Sequence, residues 1–398
     1  MPGPQSDVDR SSGSQVDPRV DSRVDPRVDP KVDPEGLLEY SVVFTDRSLN
    51  HMSALFQGVM NDISAGLKDV YGADAVVVVP GGGTFAMEAV ARQLATGRHC
   101  LIVRNGWFSY RWTQILEMGG FAAGSTVLTA RQSGEGARAP FVPPPVDEVV
   151  ERIRAERPAV VFAPHVETSA GLLLPDDYVR AVADAAHEVD GLFVLDSVAS
   201  GCLWVDMQAL GVDVLISAPQ KGWSSTPCAG LVMLSGRARE YAETSESGSF
   251  ACDLRKWLQI MQAYENGGHA YHATMPTDGL RQFRDTLHET REFGYERARD
   301  AQVALGRRVR AVLEEAGFPS VAAPGYQAPG VVVSYTDDPD IQNGSRFAAQ
   351  GLQIAAGVPL MCGEPDDYRS FRIGLFGLDK LANVERTVAR LSGAVERL

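Results

Sequence analysis

Three segments carry residue types that do chemistry. Pro80-Gly81-Gly82-Gly83-Thr84-Phe85 joins the apolar run Ala75–Val79 to a stretch of helical period. A helix that opens on glycines at the end of a strand presents unpaired N–H groups and a positive dipole end, which suit a phosphate. A tight strand-to-helix turn accounts for the same glycines without a ligand. Val194-Leu195-Asp196-Ser197-Val198-Ala199-Ser200 ends a second apolar run on an acid. A carboxylate there is costly unless a cation or several donors meet it, and helix capping is its simpler use. Ile216-Ser217-Ala218-Pro219-Gln220-Lys221-Gly222-Trp223 places one lysine after a third apolar run, 25 residues beyond Asp196. Partly desolvated, such an amine has a lowered pKa and can hold an aldehyde, whereas a solvated loop lysine does neither. Together the segments supply an anion cradle, an acid for a cationic ring nitrogen and an amine for an aldehyde. A phosphorylated pyridine aldehyde needs that set.

The elements that position these residues follow from hydrophobic period. Short runs rich in β-branched residues at Ala75–Val79, Leu101–Val103, Ala159–Ala163, Leu192–Asp196, Val212–Ser217 and Gly230–Leu234 read as strands buried on both faces. Helical period appears at Thr84–Leu94, Val146–Glu156, Pro175–His187 and Val205–Leu210. The alternation predicts an α/β protein with a largely parallel sheet. Beyond Ser235 the pattern changes to helices over Cys252–Glu265 and Gly279–Ala316, strands at Gly330–Tyr335 and Phe371–Phe376, and a last helix to Leu398. We expect a disordered arm over 1–36, a large domain with its N-terminal segment over 37–285, and a smaller α+β domain over 286–398. The arm repeats Val-Asp-Pro-(Arg/Lys) with period four; its prolines block helix and sheet ladders, and one valine per repeat buries too little.

Composition narrows the function. With 37 basic against 51 acidic side chains the net charge is −14, a field that repels nucleic acid and anionic membranes. No apolar run reaches the length of a membrane span. Five cysteines without metal-ligand spacing indicate neither a disulfide framework nor a zinc site, and a reducing cytoplasm is expected. His269 and His272 stand three apart, the spacing of a metal pair, but no metal is expected there. A nicotinamide site is the weaker alternative. Gly81-x-Gly83-x-x-Ala86 fits only the looser dinucleotide fingerprint, the next strand ends in Arg104 and not in an acid, and Lys221 and Asp196 would have no task.

Over about residues 40 to 398 the sequence resembles the class V aminotransferases of the fold-type I pyridoxal-phosphate superfamily, above all the alanine/serine–glyoxylate branch. Asp196-Ser197-Val198-Ala199-Ser200 and Ser217-x-x-Gln220-Lys221 look like its two central motifs. The resemblance implies pyridoxal 5'-phosphate as cofactor, with Lys221 as the Schiff-base lysine and Asp196 as partner of the pyridine nitrogen. It implies a phosphate turn of Gly83, Thr84 and Phe85, with Gln220 as a further contact. Asn105-Gly106-Trp107-Phe108 is similar to the family's N-G-x-(F/W), which makes Phe108 the stacking ring. His165-Val166-Glu167-Thr168-Ser169-Ala170-Gly171 resembles H-x-E-(T/S)-S-x-G and puts Thr168 near the ring's 3-oxygen. Tyr271-His272-Ala273-Thr274 resembles the Y-H-x-T segment that reaches a second subunit's phosphate, which implies a homodimer with shared sites. Arg372 matches the arginine that clamps the substrate carboxylate.

The sequence departs from the family at 41–53, where the usual P-G-P is missing. His51 and Ser53 keep the H-x-S spacing, with Met52 where arginine is expected. A substrate with an unusual side chain, such as a phosphonate or sulfonate, would fit an altered wall there. The expected reaction transfers an amino group from a small amino acid to a 2-oxo acid such as pyruvate or glyoxylate. The alternative is a lyase or desulfurase, for which Cys362 is the candidate nucleophile.

Overall fold

The structure is a computed structural model that describes residues 32–398. Most of the Val-Asp-Pro arm lies outside the described residues. At its end the Val32 carbonyl accepts from Arg281, and Asp33 is buried.

Seven strands form the main sheet: β1 (Ala75–Pro80), β2 (His99–Arg104), β3 (Gly124–Thr129), β4 (Val160–Pro164), β5 (Leu192–Asp196), β6 (Val214–Ser217) and β7 (Ala229–Leu234). Their spatial order is β1-β7-β6-β5-β4-β2-β3, and only β7 runs against its neighbours. The near-continuous apolar runs have the predicted cause, since β4, β5, β6 and β7 are buried at every position. The cover comes from helices α1 (Ala54–Tyr71), α2 (Gly83–Leu94), α3 (Trp107–Gly119), α4 (Val146–Glu156), α5 (Asp176–Glu188) and α6 (Leu254–Glu265). Helix α2 packs on β6 and β7, α3 on β2 and β4, α5 on β5, and α6 on β1. Because six strands run one way, Pro80, Arg104, Pro164, Asp196 and Ser217 end at one edge, where parallel sheets bind ligands.

The helix expected over Gly279–Ala316 is two helices, α7 (Thr277–Phe293) and α8 (Tyr295–Glu315). Gly294 breaks them at φ 95°, a conformation that costs glycine little and other residues more. The periodicity of charges continues across the break and so hides it. The sequence reading also omitted α1, α3 and β3 from its clearest elements. Helix α1 has Phe56, Val59, Met60, Ile63 and Leu67 buried at helical spacing, but its polar face dilutes the pattern.

A second sheet of β8 (Val331–Tyr335), β9 (Ala355–Ala356) and β10 (Ser370–Gly374) is antiparallel, with β10 in the middle. It packs with α8 and α9 (Val384–Val395) around its own core of Leu305, Val309, Phe347, Phe371 and Leu391. The main core runs from Leu49 to Leu287. No helix among the described residues is long and apolar enough to cross a membrane.

Candidate active site

At the ligand edge of the main sheet lies a cavity of about 200 Å³ lined by residues from five of the predicted motifs: Gly83 and Thr84, Phe108, Thr168, Asp196, and Gln220 and Lys221. The βα turns that follow β1, β2, β4, β5 and β6 bring them together, so positions up to 138 residues apart in sequence share one space.

Asp196 ends β5 and is 9% exposed. Its Oδ1 accepts the N–H of Val198 at 3.0 Å. Burial pushes its carboxyl up to about 6 against the weaker help of that N–H. One backbone donor leaves most of its acceptor capacity for a cationic donor from the cavity. Lys221 follows β6 in a loop anchored by Trp223, which is 1% exposed and meets Trp204 at 4.7 Å and Phe283 at 6.0 Å between ring centroids. Burial lowers the ammonium's pKa, and the Arg372 and Arg111 charges lower it further. Its Nζ lies 5.2 Å from the Phe376 ring centroid. Gln220 Oε1 is buried without a protein partner.

Phe108 stands at the start of α3, on a turn held from below by an acid. The Glu167 carboxylate is fully buried and accepts the N–H groups of Phe108, Ser109 and Ser169 and the hydroxyls of Ser109 and Ser169. The turn can approach so closely because Gly106 has no side chain: a Cβ there would lie 2.1 Å from Ser169 Oγ and 2.7 Å from Glu167 Cγ. Arg372, in the middle strand of the small sheet, donates through Nε to the Ala356 carbonyl at 2.9 Å. Its guanidinium lies 5.4 Å from the Phe108 ring, at the edge of the cavity.

Not every predicted residue joins them. Phe85 is 54% exposed and off the cavity lining, and its N–H is taken by the Gly82 carbonyl at 3.0 Å. Ser53 caps α1, its Oγ accepting the Phe56 N–H at 3.1 Å. His51 is buried in a separate aromatic group, its ring 5.5 Å from Phe44, 5.5 Å from Tyr271 and 5.8 Å from His269. Tyr271 is 53% exposed, and its hydroxyl lies 3.1 Å from Thr274 Oγ1. None of Phe85, Ser53, His51, Tyr271 and Thr274 lines the cavity of its own chain. Glu167 and Arg111 join the site although neither is among the residues that the sequence motifs single out. Arg111 lines the cavity from α3, and its signal was available: it stands three residues after Phe108, on the same helix face.

Cys362, the alternative nucleophile, is the wrong kind of thiol. Burial pushes it up to about 12, and its Sγ lies 3.5 Å from the Arg104 carbonyl. A protonated, hydrogen-bonded thiol is a poor nucleophile, so the desulfurase alternative loses its reacting group.

The residues present fit pyridoxal phosphate on their own chemistry. A buried acid short of donors meets a protonated pyridine nitrogen, a desolvated amine meets an aldehyde, and a helix N-terminus faces the phosphate side.

Known proteins agree with this chemistry. The class-V aminotransferase family matches residues 35–358. The 2-aminoethylphosphonate-pyruvate transaminase 2 of Paraburkholderia xenovorans is 30% identical over 360 residues, covering 89% of this chain and 90% of that protein. The alanine-glyoxylate aminotransferase of Felis catus is 27% identical over 370 residues, 88% of this chain and 82% of that one. Among solved structures, an alanine-glyoxylate aminotransferase from Nostoc sp. shares the fold with a TM-score of 0.73 at 22% identity, over 87% of this chain and 88% of that one. On that breadth of match the chain belongs to the class-V aminotransferases and is a pyridoxal-phosphate-dependent transaminase of fold type I.

Proposed function

We propose that this transaminase moves an amino group from a small amino acid to a 2-oxo acid such as pyruvate or glyoxylate, as a cytoplasmic homodimer with shared active sites. The observation that carries the reading is the meeting of Lys221, Asp196 and Gln220 in one cavity with Arg372 at its edge. The relatives named above use pyruvate or glyoxylate, according to their names.

When bound, the cofactor supplies electron withdrawal through its protonated pyridine ring. Asp196 keeps the proton on the ring nitrogen, because a buried carboxylate is stabilised by a cation at hydrogen-bond distance. Lys221 Nζ would hold the aldehyde in the resting enzyme and, once displaced by the donor's amine, would be free to move the proton at the donor's Cα; its lowered pKa leaves more of it neutral for that task. Phe108 covers one face of the ring and excludes water, while Thr168 orients the 3-oxygen side. The turn at Gly83 and Thr84, with Gln220, would hold the phosphate. Arg372 orients the substrate carboxylate through the part of its fork that Ala356 leaves unused.

Tyr271, Thr274, His51 and Ser53 act across the dimer in this reading. Their distance from the cavity of their own chain supports it, as do the exposed apolar side chains Leu37, Tyr40, Val42 and Phe250 on the segments that flank them. The five free cysteines fit the cytoplasm. We place the large domain at 37–285 and the small one at 286–398; the main core reaches two residues past that boundary, to Leu287.

The test is the visible absorbance of cofactor-loaded protein given single amino acids without an acceptor. A donor that converts the cofactor to its amine form supports transamination, and Lys221→Ala should lose both the aldehyde-form band and turnover. Sustained turnover by that variant overturns the site, and a strictly monomeric enzyme overturns the shared-site dimer.

A further inference from the structure

Two guanidinium groups lie against one aromatic ring at this cavity, and the reading above uses only one of them. Arg111 sits 4.7 Å from the Phe108 ring centroid and Arg372 5.4 Å from it. Arg111 Nη1 donates to Thr84 Oγ1 at 2.9 Å, so it bridges from α3 to the first turn of α2, where the free N–H groups of a helix start point outward. Both residues line the cavity. Among the described residues no carboxylate comes within ion-pair distance of Arg111. Of the acids nearby, Glu167 is spent on its five donors, Glu88 pairs with Arg92, and Asp196 faces the ring-nitrogen end.

A guanidinium stacked on a ring and hydrogen-bonded through one nitrogen keeps the rest of its planar fork in a fixed direction. That geometry suits a phosphoryl oxygen pair, where lysine would offer only a point charge. It is placed beside a helix N-terminus, within a chain whose overall charge is strongly negative. A cation retained there draws a dianion into a cavity that the surface field would otherwise disfavour.

We infer that Arg111, held by Thr84 and Phe108, binds the cofactor's phosphate from within the same chain, in addition to the α2 turn. The inference rests on the transaminase reading. The shared chemistry, a tetrahedral dianion, also describes a phosphonate-bearing amino donor, and the experiment separates the two sources.

Cofactor-free wild type, Arg111→Gln and Arg111→Lys are titrated with pyridoxal phosphate and with pyridoxal, which lacks the phosphate, and their melting is followed with inorganic phosphate added. Arg111→Gln should bind pyridoxal phosphate about 10- to 100-fold more weakly, the range of one charge-assisted contact. Arg111→Lys should recover part of the loss, pyridoxal affinity should stay level, and phosphate should stabilise wild type but not Arg111→Gln. Equal losses for both aldehydes would mean a structural role and overturn the inference. So would unchanged cofactor affinity with a raised KM for a phosphonate donor, which assigns Arg111 to substrate. If wild type binds neither aldehyde yet shows the Arg111-dependent response to phosphate, the transaminase reading fails and the anion site stands.

Discussion

Glu167 accepts the main-chain N–H of Phe108 at 3.2 Å, so the aromatic wall of the cavity is set by a buried acid beneath it. All five groups that meet this carboxylate are donors. Glu167→Gln would turn one of its oxygens into an NH₂ facing other donors. We expect a loss of about 1–3 kcal/mol in urea unfolding of the cofactor-free protein, the cost of a buried group without a partner. Unchanged stability would show that the network does not hold the turn.

Asp196 gives the cofactor-free protein a pH dependence of definite sign. Its carboxyl stands near 3.9 in an unfolded chain and about 6 in the folded one, where burial disfavours the charge. Between those values the folded chain keeps a proton that the unfolded chain has released, so its stability falls as pH rises through the window. Above pH 6 the cost is steady at about 3 kcal/mol. His165, lowered to about 4 by burial, acts in the opposite direction: the unfolded chain takes up a proton below about 6.5 that the folded ring refuses, and stability falls as pH drops. Asp196→Asn removes only the first contribution. It should stabilise the cofactor-free protein at pH 7.5 and not near pH 4, while weakening cofactor binding. Equal unfolding midpoints at both pH values would contradict the assignment.

Lys221 costs the cofactor-free fold something, because burial and the Arg372 and Arg111 charges all oppose its ammonium form. Lys221→Ala should therefore melt at the same temperature as wild type or above it without cofactor, and below cofactor-loaded wild type. Differential scanning calorimetry on both forms tests this. A lower melting temperature for the variant without cofactor would show that the lysine is a structural contact.

Arg104, the residue standing where a nicotinamide site would carry an acid, ties the edge of the main sheet to the loop that precedes β10. Its Nη1 donates to the Met361 carbonyl at 3.2 Å and its Nη2 to Thr113 Oγ1 at 2.7 Å. Met361 takes φ 62° in a loop whose N–H groups at Leu360, Met361 and Cys362 all point to Glu364. That loop leads into the strand of Arg372. Arg104→Gln should raise KM for the amino donor about 3- to 10-fold, the effect of one lost hydrogen bond on the position of the clamp, with cofactor affinity unchanged. A fall in cofactor affinity with KM unchanged would place its effect elsewhere.

Local pattern alone determined the alternating strands and helices and the appearance of Gly83, Asp196, Gln220 and Lys221 where strands end. Burial on both faces makes a strand apolar throughout, and a glycine or a charge that interrupts such a run is visible without knowing its neighbours. Period could not show that α7 and α8 part at Gly294, because one residue in the left-handed region leaves the charge pattern intact. Tertiary structure alone decided which groups meet. It spends Glu167 on donors from two segments, turns Arg111 toward Thr84, buries the Cys362 thiol, and keeps Tyr271 beside His51 and away from its own chain's cavity. These are contacts between residues tens to hundreds of positions apart. A side chain's pKa and partners depend on the space that the packed elements leave around it, which no single segment encodes.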